Sequence, residues 1–331
     1  MGDAVHPRDT ERLIGLEAQE AAFASALESG RLHHAWLLTG PEGVGKASFA
    51  YHAARRLLGA RHDPSGGPLA ASLRDPVSLL MAARSHPDFM VLERVGEDGK
   101  PRKVIPVDEA RRLPEFFSKS PARSPYRVAI IDAADDLNVN AANAILKTLE
   151  EPPPRGVLLL VSHAPGRLLP TIRSRCRTLS FRPPPVDVAE QIVRVASGLD
   201  GYDAARLVKM AGGAPGLALR MSDLGALKID DAAHELLNHL KHPDPAPLLA
   251  LADSFRGGEG AERFQMLFER LSDRIRHMAA DQALAGQGAD LDRWAEVWEI
   301  LERLPRDAEA LNLDRADSFW TAVRALRKAA A

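Results

Sequence analysis

Seven residues, Gly40-Pro41-Glu42-Gly43-Val44-Gly45-Lys46, restrict this chain more than any other stretch. They satisfy G-x-x-x-x-G-K, placed after the apolar run Ala35-Trp36-Leu37-Leu38-Thr39 and before a helical pattern from Lys46 to about Leu58. Glycines at this spacing let backbone N–H groups come close to phosphate oxygens, and the lysine meets the β/γ oxygens. The arrangement predicts strand, loop and helix in succession, and so an α/β sheet with right-handed crossovers. A serine or threonine after the lysine would bring a hydroxyl to Mg²⁺. Here that residue is Ala47, and Ser48 points about 100° away around the helix.

The segments around the loop repeat the same alternation. Phe89-Met90-Val91-Leu92, Tyr126 to Asp132 and Gly156 to Ser162 read as strands. Glu17 to Glu28, the stretch from Val107 through Phe117, and Asn138 to Glu150 read as helices, the last stopped by Pro152-Pro153-Pro154. Apolar strands without polar alternation are typical of a parallel sheet covered on both faces. Gly59 to Leu73 reads as a flexible insertion. Beyond Arg182-Pro183-Pro184-Pro185 the strand-like runs cease. Residues 187–197 and 202–211 form a short helical pair, and Lys241 to Pro247 and Arg256 to Gly260 read as loops. Phe264, Leu267, Phe268, Leu271, Ile275 and Met278 share one helical face, as do Trp294, Val297, Trp298 and Leu301. The length suits two or three domains: 1–182 around the sheet, then helical segments over 183–224 and 225–331.

Composition narrows the class. With 45% hydrophobic and 27% charged residues, and 24 Gly plus 24 Pro in 331 residues, the chain is neither disordered nor collagen-like. A formal charge of -2 gives no wholesale basic surface, so contact with nucleic acid must be local or shared. The one cysteine, Cys176, makes no internal disulfide and suits a reducing cytoplasm. The first residues carry charges of both signs and do not read as a signal peptide, and no apolar run reaches the ~18 residues of a membrane helix. A soluble, cytoplasmic protein is expected.

Val128-Ala129-Ile130-Ile131-Asp132 looks like the second strand of a nucleotide site, where an acid at the strand end helps hold the metal through water. A turn acid is the plainer alternative, given Asp135, Asp136 and Asn138 close by. Many ATPases of this architecture place a glutamate next, to activate the attacking water. This chain has Ala133.

Three segments carry a resemblance: residues 12–46, the run from Asn140 through Pro154, and Leu158 through Cys176. In this order they resemble the clamp-loader branch of the AAA+ ATPases over about the first 220 residues. The resemblance implies an AAA+ sheet domain, a helical lid and a helical collar that joins a ring. It implies a subunit of a replicative DNA polymerase holoenzyme, a nucleotidyltransferase assembly. Its partners would be ATPase motor subunits, a delta subunit, the sliding clamp and primer-template DNA. Ser174-Arg175-Cys176 matches the arginine-finger tripeptide, with Arg175 reaching the ATP of a neighbouring subunit. Such fingers contribute ~10³–10⁵ in rate in related NTPases. Gly40, Gly43, Gly45, Lys46, Asp132 and Ser162 would form the nucleotide side, with Ser162 and His163 at the polar strand end called sensor 1.

Departures from the pattern are equally informative. Active members carry an arginine in the lid segment, where Pro215 stands here. The zinc module of the family needs four cysteines, and Gly59 to Phe89 holds only His62 and His86, so no zinc is expected. ATP binding is expected to be weak or vestigial, with little or no intrinsic hydrolysis, and the subunit would act as a stator. Arg111, Arg112, Lys119, Arg123 and Arg127 form a local basic stretch, read either as a DNA-facing surface or as a solvated face. An active motor subunit is the first rival, opposed by Ala47, Ala133 and Pro215. A P-loop nucleotide or metabolite kinase is the second, and would need the hydroxyl residue and an arginine-rich substrate lid.

Overall fold

A computed structural model describes residues 6–95, 102–242, 244–284 and 291–330. The reading of the chain start falls partly outside them, since residues 1–5 are not described. The chain divides into two compact units, Gly2–Leu219 and Arg220–Ala331.

The first unit is built on strands β1 (Ala35–Thr39), β2 (Phe89–Glu93), β3 (Arg127–Asp132), β4 (Gly156–Ser162) and β5 (Arg177–Ser180). All pairings are parallel, in the order β2-β3-β4-β1-β5. β5 was not legible as a strand: its sequence Arg-Thr-Leu-Ser is largely polar, because it lies at the sheet edge with most of its residues exposed. Helices α1 (Glu17–Glu28), α2 (Lys46–Leu57), α3 (Pro76–Ala82), α4 (Val107–Ser118), α5 (Val139–Glu150) and the single turn α6 (Pro170–Arg173) are interleaved with the strands. α3 is a further element the apolar pattern did not mark. It is started locally: Pro76 opens it, and the Asp75 carboxylate accepts from the Val77 N–H at 2.9 Å.

Alternate residues of each central strand enter opposite cores. Trp36, Leu38, Val128, Ile130, Leu159 and Val161 meet Phe23 of α1 and Phe49 of α2. Leu37, Ala129, Ile131, Leu158 and Leu160 meet Leu113 of α4 and Ile145 of α5. Both faces are therefore dry, which explains the unbroken apolar strands. The Phe23 ring lies 4.9 Å from Trp36 and 5.8 Å from Phe49, centroid to centroid. Each such buried aromatic stabilises the unit by about 1.5–3 kcal/mol relative to exposure.

The segment expected as a flexible insertion is instead folded. Asp63 N–H donates to Ala70 O at 2.9 Å, His62 and Ala71 form an antiparallel bridge, and Leu69 is buried in the α1–α2 core. Its anchor is Glu20, whose buried carboxylate accepts from the Leu69 N–H at 3.2 Å. Burial raises the pKa of that carboxyl.

α7 (Val186–Ser197), α8 (Gly201–Met210) and α9 (Pro215–Asp223) follow the sheet, and the division between the units falls within α9. The second unit contains α10 (Ala226–Asn238), α11 (Pro245–Ser254), α12 (Gly260–Leu284), α13 (Leu291–Ala310) and α14 (Arg315–Ala329). The expected loop from Lys241 to Pro247 ends early: Asp244 caps α11 by accepting from Ala246 N–H at 3.0 Å, and Pro245 supplies the first helical residue. Phe255 links this unit's core, with ring centroids 5.3 Å from Phe264 and 5.6 Å from Phe319. Trp294, Val297 and Leu301 are buried as their spacing requires, while Trp298 stays 41% exposed at the margin of the stripe.

Candidate functional site: two edges of one sheet

The phosphate-loop motif lies at the C-terminal edge of the sheet, between β1 and α2. Close backbone approach explains two of its glycines. A Cβ on Gly40 would come within 2.2 Å of Phe181 O, and one on Gly43 within 2.2 Å of Leu217 N. Both also have positive φ, +146° and +75°. Lys46 is only 2% exposed, and its ammonium donates to the carbonyls of Gly40, at 2.6 Å, and Pro41. Burial pulls its pKa down to about 8, against the nearby negative charges of Asp132, Glu42 and Asp135.

Asp132 ends β3 and is drawn the opposite way. Burial, reinforced by the charge of Glu93, raises its pKa to about 6, although Lys46 favours the ionised form. Ala133, buried behind it, brings no base. Register places Ser162 beside Thr39, so the strand-end serine stands next to the start of the loop. Its hydroxyl donates to Asp135 at 3.0 Å, and the same carboxylate accepts from His163 N–H at 2.5 Å and Ala164 N–H at 3.2 Å. A hydroxyl that gives its only proton to a carboxylate presents lone pairs, not a donor, to a phosphate. Burial and the Lys46 charge lower the His163 pKa, which favours a neutral imidazole.

The loop itself fits a phosphate. The groups around it do not fit a metal-bound triphosphate. Ala47 lacks the hydroxyl, and the Ser48 hydroxyl pairs with Thr10 Oγ1 at 3.1 Å. The first turn of α9, Pro215-Gly216-Leu217-Ala218, holds no cation, and Gly216 N–H donates to Gly43 O at 2.8 Å. Among the described residues no cluster of three or more metal-ligating side chains occurs. His62 Nε2 is engaged with Gly67 O, and His86 Nδ1 accepts from Asp88 N–H.

Gly40, Gly43, Gly45, Lys46, Asp132 and Ser162 thus gather at one edge. Arg175 does not join them. It lies between α6 and β5, two residues before Arg177, which pairs with Trp36 near the start of β1. Gly40 follows the other end of β1. At about 3.3 Å per residue, about 13 Å of strand separates the two levels. There Arg175 Nη2 pairs with Glu150 at 2.9 Å, and Nη1 donates to Thr171 O at 3.0 Å. Cys176 beside it is half-buried, and burial lifts its thiol to about 12, so it stays protonated.

The basic stretch loses a member. Arg127 is buried, bonded through Nε to Asp88 at 3.3 Å and stacked over Phe116 at 4.5 Å. Although burial disfavours the ionised form of Asp88, the N–H groups of Ala122, Arg123 and Ser124, together with Arg127, hold its pKa low. Arg111 pairs with Asp108 and Lys119 with Glu115 on the surface of α4.

The family model described as "DNA polymerase III, delta subunit" matches residues 15–185, which contain the loop, the sheet and the Ser-Arg-Cys tripeptide. The chain belongs to that family. Among the relatives of this family member are delta-prime subunits. DNA polymerase III subunit delta' of Pseudomonas aeruginosa is 38% identical over 208 residues, 62% of this chain and 61% of that protein. Its counterpart in Haemophilus influenzae is 28% identical over 304 residues, covering 91% and 86%. A solved gamma-subunit-related protein of Thermotoga maritima covers 95% of this chain and 99% of its own, at 19% identity and a TM-score of 0.44.

Asp135 and Glu150 were missed as partners of the expected site residues. Asp135 carried no signal beyond being one of several turn acids. Glu150 carried a faint one, an acid at the last turn of a helix before a proline run, where the helix dipole disfavours it unless a cation is near.

Proposed function

We propose that this chain is a clamp-loader subunit of the DNA polymerase III holoenzyme, acting as a stator. Residues 1–182 form its AAA+ domain, 183–224 its lid and 225–331 a collar that joins the ring. Arg175 serves as an arginine finger in trans to ATP held by a neighbouring motor subunit. Its ring partners include a delta subunit, and together they load the sliding clamp onto primer-template DNA in the cytoplasm. Its own nucleotide site is vestigial, with at most weak ATP binding through Lys46 and negligible hydrolysis.

The observation that supports this reading best is the placement of Arg175 at the sheet edge opposite the chain's own phosphate loop. A guanidinium there is too far to act in cis, and it neutralises developing charge only if another subunit brings a phosphate to it. Ala47, Ala133 and the engagement of Ser162 with Asp135 support the vestigial site. The test is reconstitution of the clamp loader with wild-type or Arg175→Ala subunit, measuring clamp- and DNA-stimulated ATPase and clamp loading. Both should fall, with the ring still assembled. Unchanged values in both assays overturn the proposal, as does turnover of roughly 1 s⁻¹ by the purified subunit alone.

A further inference from the structure

Arg175 is not a free surface arginine, and its partner is specific. The guanidinium is held at two points: Nη2 by the Glu150 carboxylate at 2.9 Å, and Nη1 by the Thr171 carbonyl at 3.0 Å. Glu150 is the last residue of α5, where helix carbonyls already concentrate negative charge. Pro152-Pro153-Pro154 end the helix just beyond. Thr171 belongs to α6, one turn before the arginine. The two anchors come from separate elements and together restrict the rotation of a long side chain that is 35% exposed.

We infer that Glu150 is a positioning residue for Arg175. The inference rests on the reading of Arg175 as a finger in trans. A guanidinium carries five N–H donors in a rigid fork. One bond to Glu150 and one to Thr171 leave three for an incoming phosphate. Holding the fork in place lowers the entropy lost when a neighbour's phosphate docks. The carboxylate also subtracts from the positive charge that the phosphate meets. Preorganisation exceeds that cost here, because the carboxylate is 49% exposed and solvent screens its longer-range field.

The experiment compares Glu150→Ala, Glu150→Gln, Arg175→Ala and the double variant Glu150→Ala/Arg175→Ala in the reconstituted clamp loader. Clamp- and DNA-stimulated ATPase is measured across ATP concentrations, with the melting temperature of each subunit as a folding control. Glu150→Ala should lower kcat by up to about fivefold, the scale of an exposed ion pair, with KM for ATP unchanged. Glu150→Gln keeps an acceptor oxygen and should recover at least half of the loss. In the Arg175→Ala background, Glu150→Ala should change nothing further. A silent Glu150→Ala beside a damaging Arg175→Ala overturns the positioning role and leaves the finger intact. A rise in kcat shows that the carboxylate withholds the arginine, which also overturns it. An effect that persists without Arg175 shows a purely structural residue at the end of α5. If Arg175→Ala is itself silent, the finger reading falls and this inference falls with it.

Discussion

The two edges of the same sheet treat their expected site residues in opposite ways. At the C-terminal edge the chemistry of a nucleotide site is satisfied from within. Lys46 donates to its own loop, Ser162 gives its proton to Asp135, and Gly43 accepts from Gly216. At the N-terminal edge Arg175 is oriented by two anchors yet keeps donors to offer. Internal satisfaction stabilises a fold, whereas leftover, oriented donors suit recognition of something outside it. On the proposed reading, retaining a phosphate loop is separable from using it, and the arginine offered to a partner lies about a strand length away from that loop.

The largest effect should come from Arg175→Ala. Under the proposed action in trans, stimulated turnover at the neighbouring subunit's ATP should drop by ~10³-fold or more. The melting temperature should fall by no more than about 2–4 °C, since a half-exposed ion pair contributes about 1 kcal/mol or less to folding. Arg175→Lys should rescue poorly, because an ammonium lacks the planar fork. A near wild-type rate with Arg175→Lys would erase the distinction between an oriented fork and a simple charge.

Asp88→Ala attacks the structural neighbour of the same edge. It leaves the buried Arg127 guanidinium without its anion and frees the N–H groups of residues 122–124, so denaturant unfolding should show a loss of about 3–5 kcal/mol. A loss below about 1 kcal/mol would mean that this edge is held by apolar packing alone.

At the other edge Asp132 gives a pH signature. Its folded pKa, about 6, lies above that of an unfolded aspartate. Its contribution is therefore fully favourable below about pH 4 and is lost as pH rises through 6. Relative to wild type, Asp132→Asn should become more stable by roughly 1–3 kcal/mol across that window, read as the gap between denaturant midpoints from pH 4 to 8. Parallel curves would show that Asp132 is solvated like a surface acid.

The smallest effect is expected from Ala47→Thr. Restoring the hydroxyl should strengthen Mg²⁺-dependent nucleotide binding by less than tenfold and leave hydrolysis at background, because Ala133 and the first turn of α9 are unchanged. Calorimetry with Mg·ADP and a phosphate-release assay measure both. Hydrolysis appearing on this one change would make the C-terminal edge a dormant site and not a satisfied one.

Much of the molecule could be read from residue order. The glycine spacing of 40–46, the unbroken apolar strands and the proline run at 152–154 are local signals, since they act through backbone freedom, burial on both faces and a missing N–H. They determined the α/β sheet, the helices on it and the gathering of Lys46, Asp132 and Ser162 at one edge. Local signals could not show that Leu69 is buried over Glu20, that Arg127 leaves the surface for Asp88, or that β5 is a strand despite its polarity. Those depend on residues 39 to 141 positions apart, or on an edge that exists only once the sheet is assembled. The same holds for function. Sequence alone marked Arg175, but which edge it occupies, and that Glu150 holds it, were decided by tertiary structure. Strand register sets the first, and the convergence of α5 and α6 sets the second.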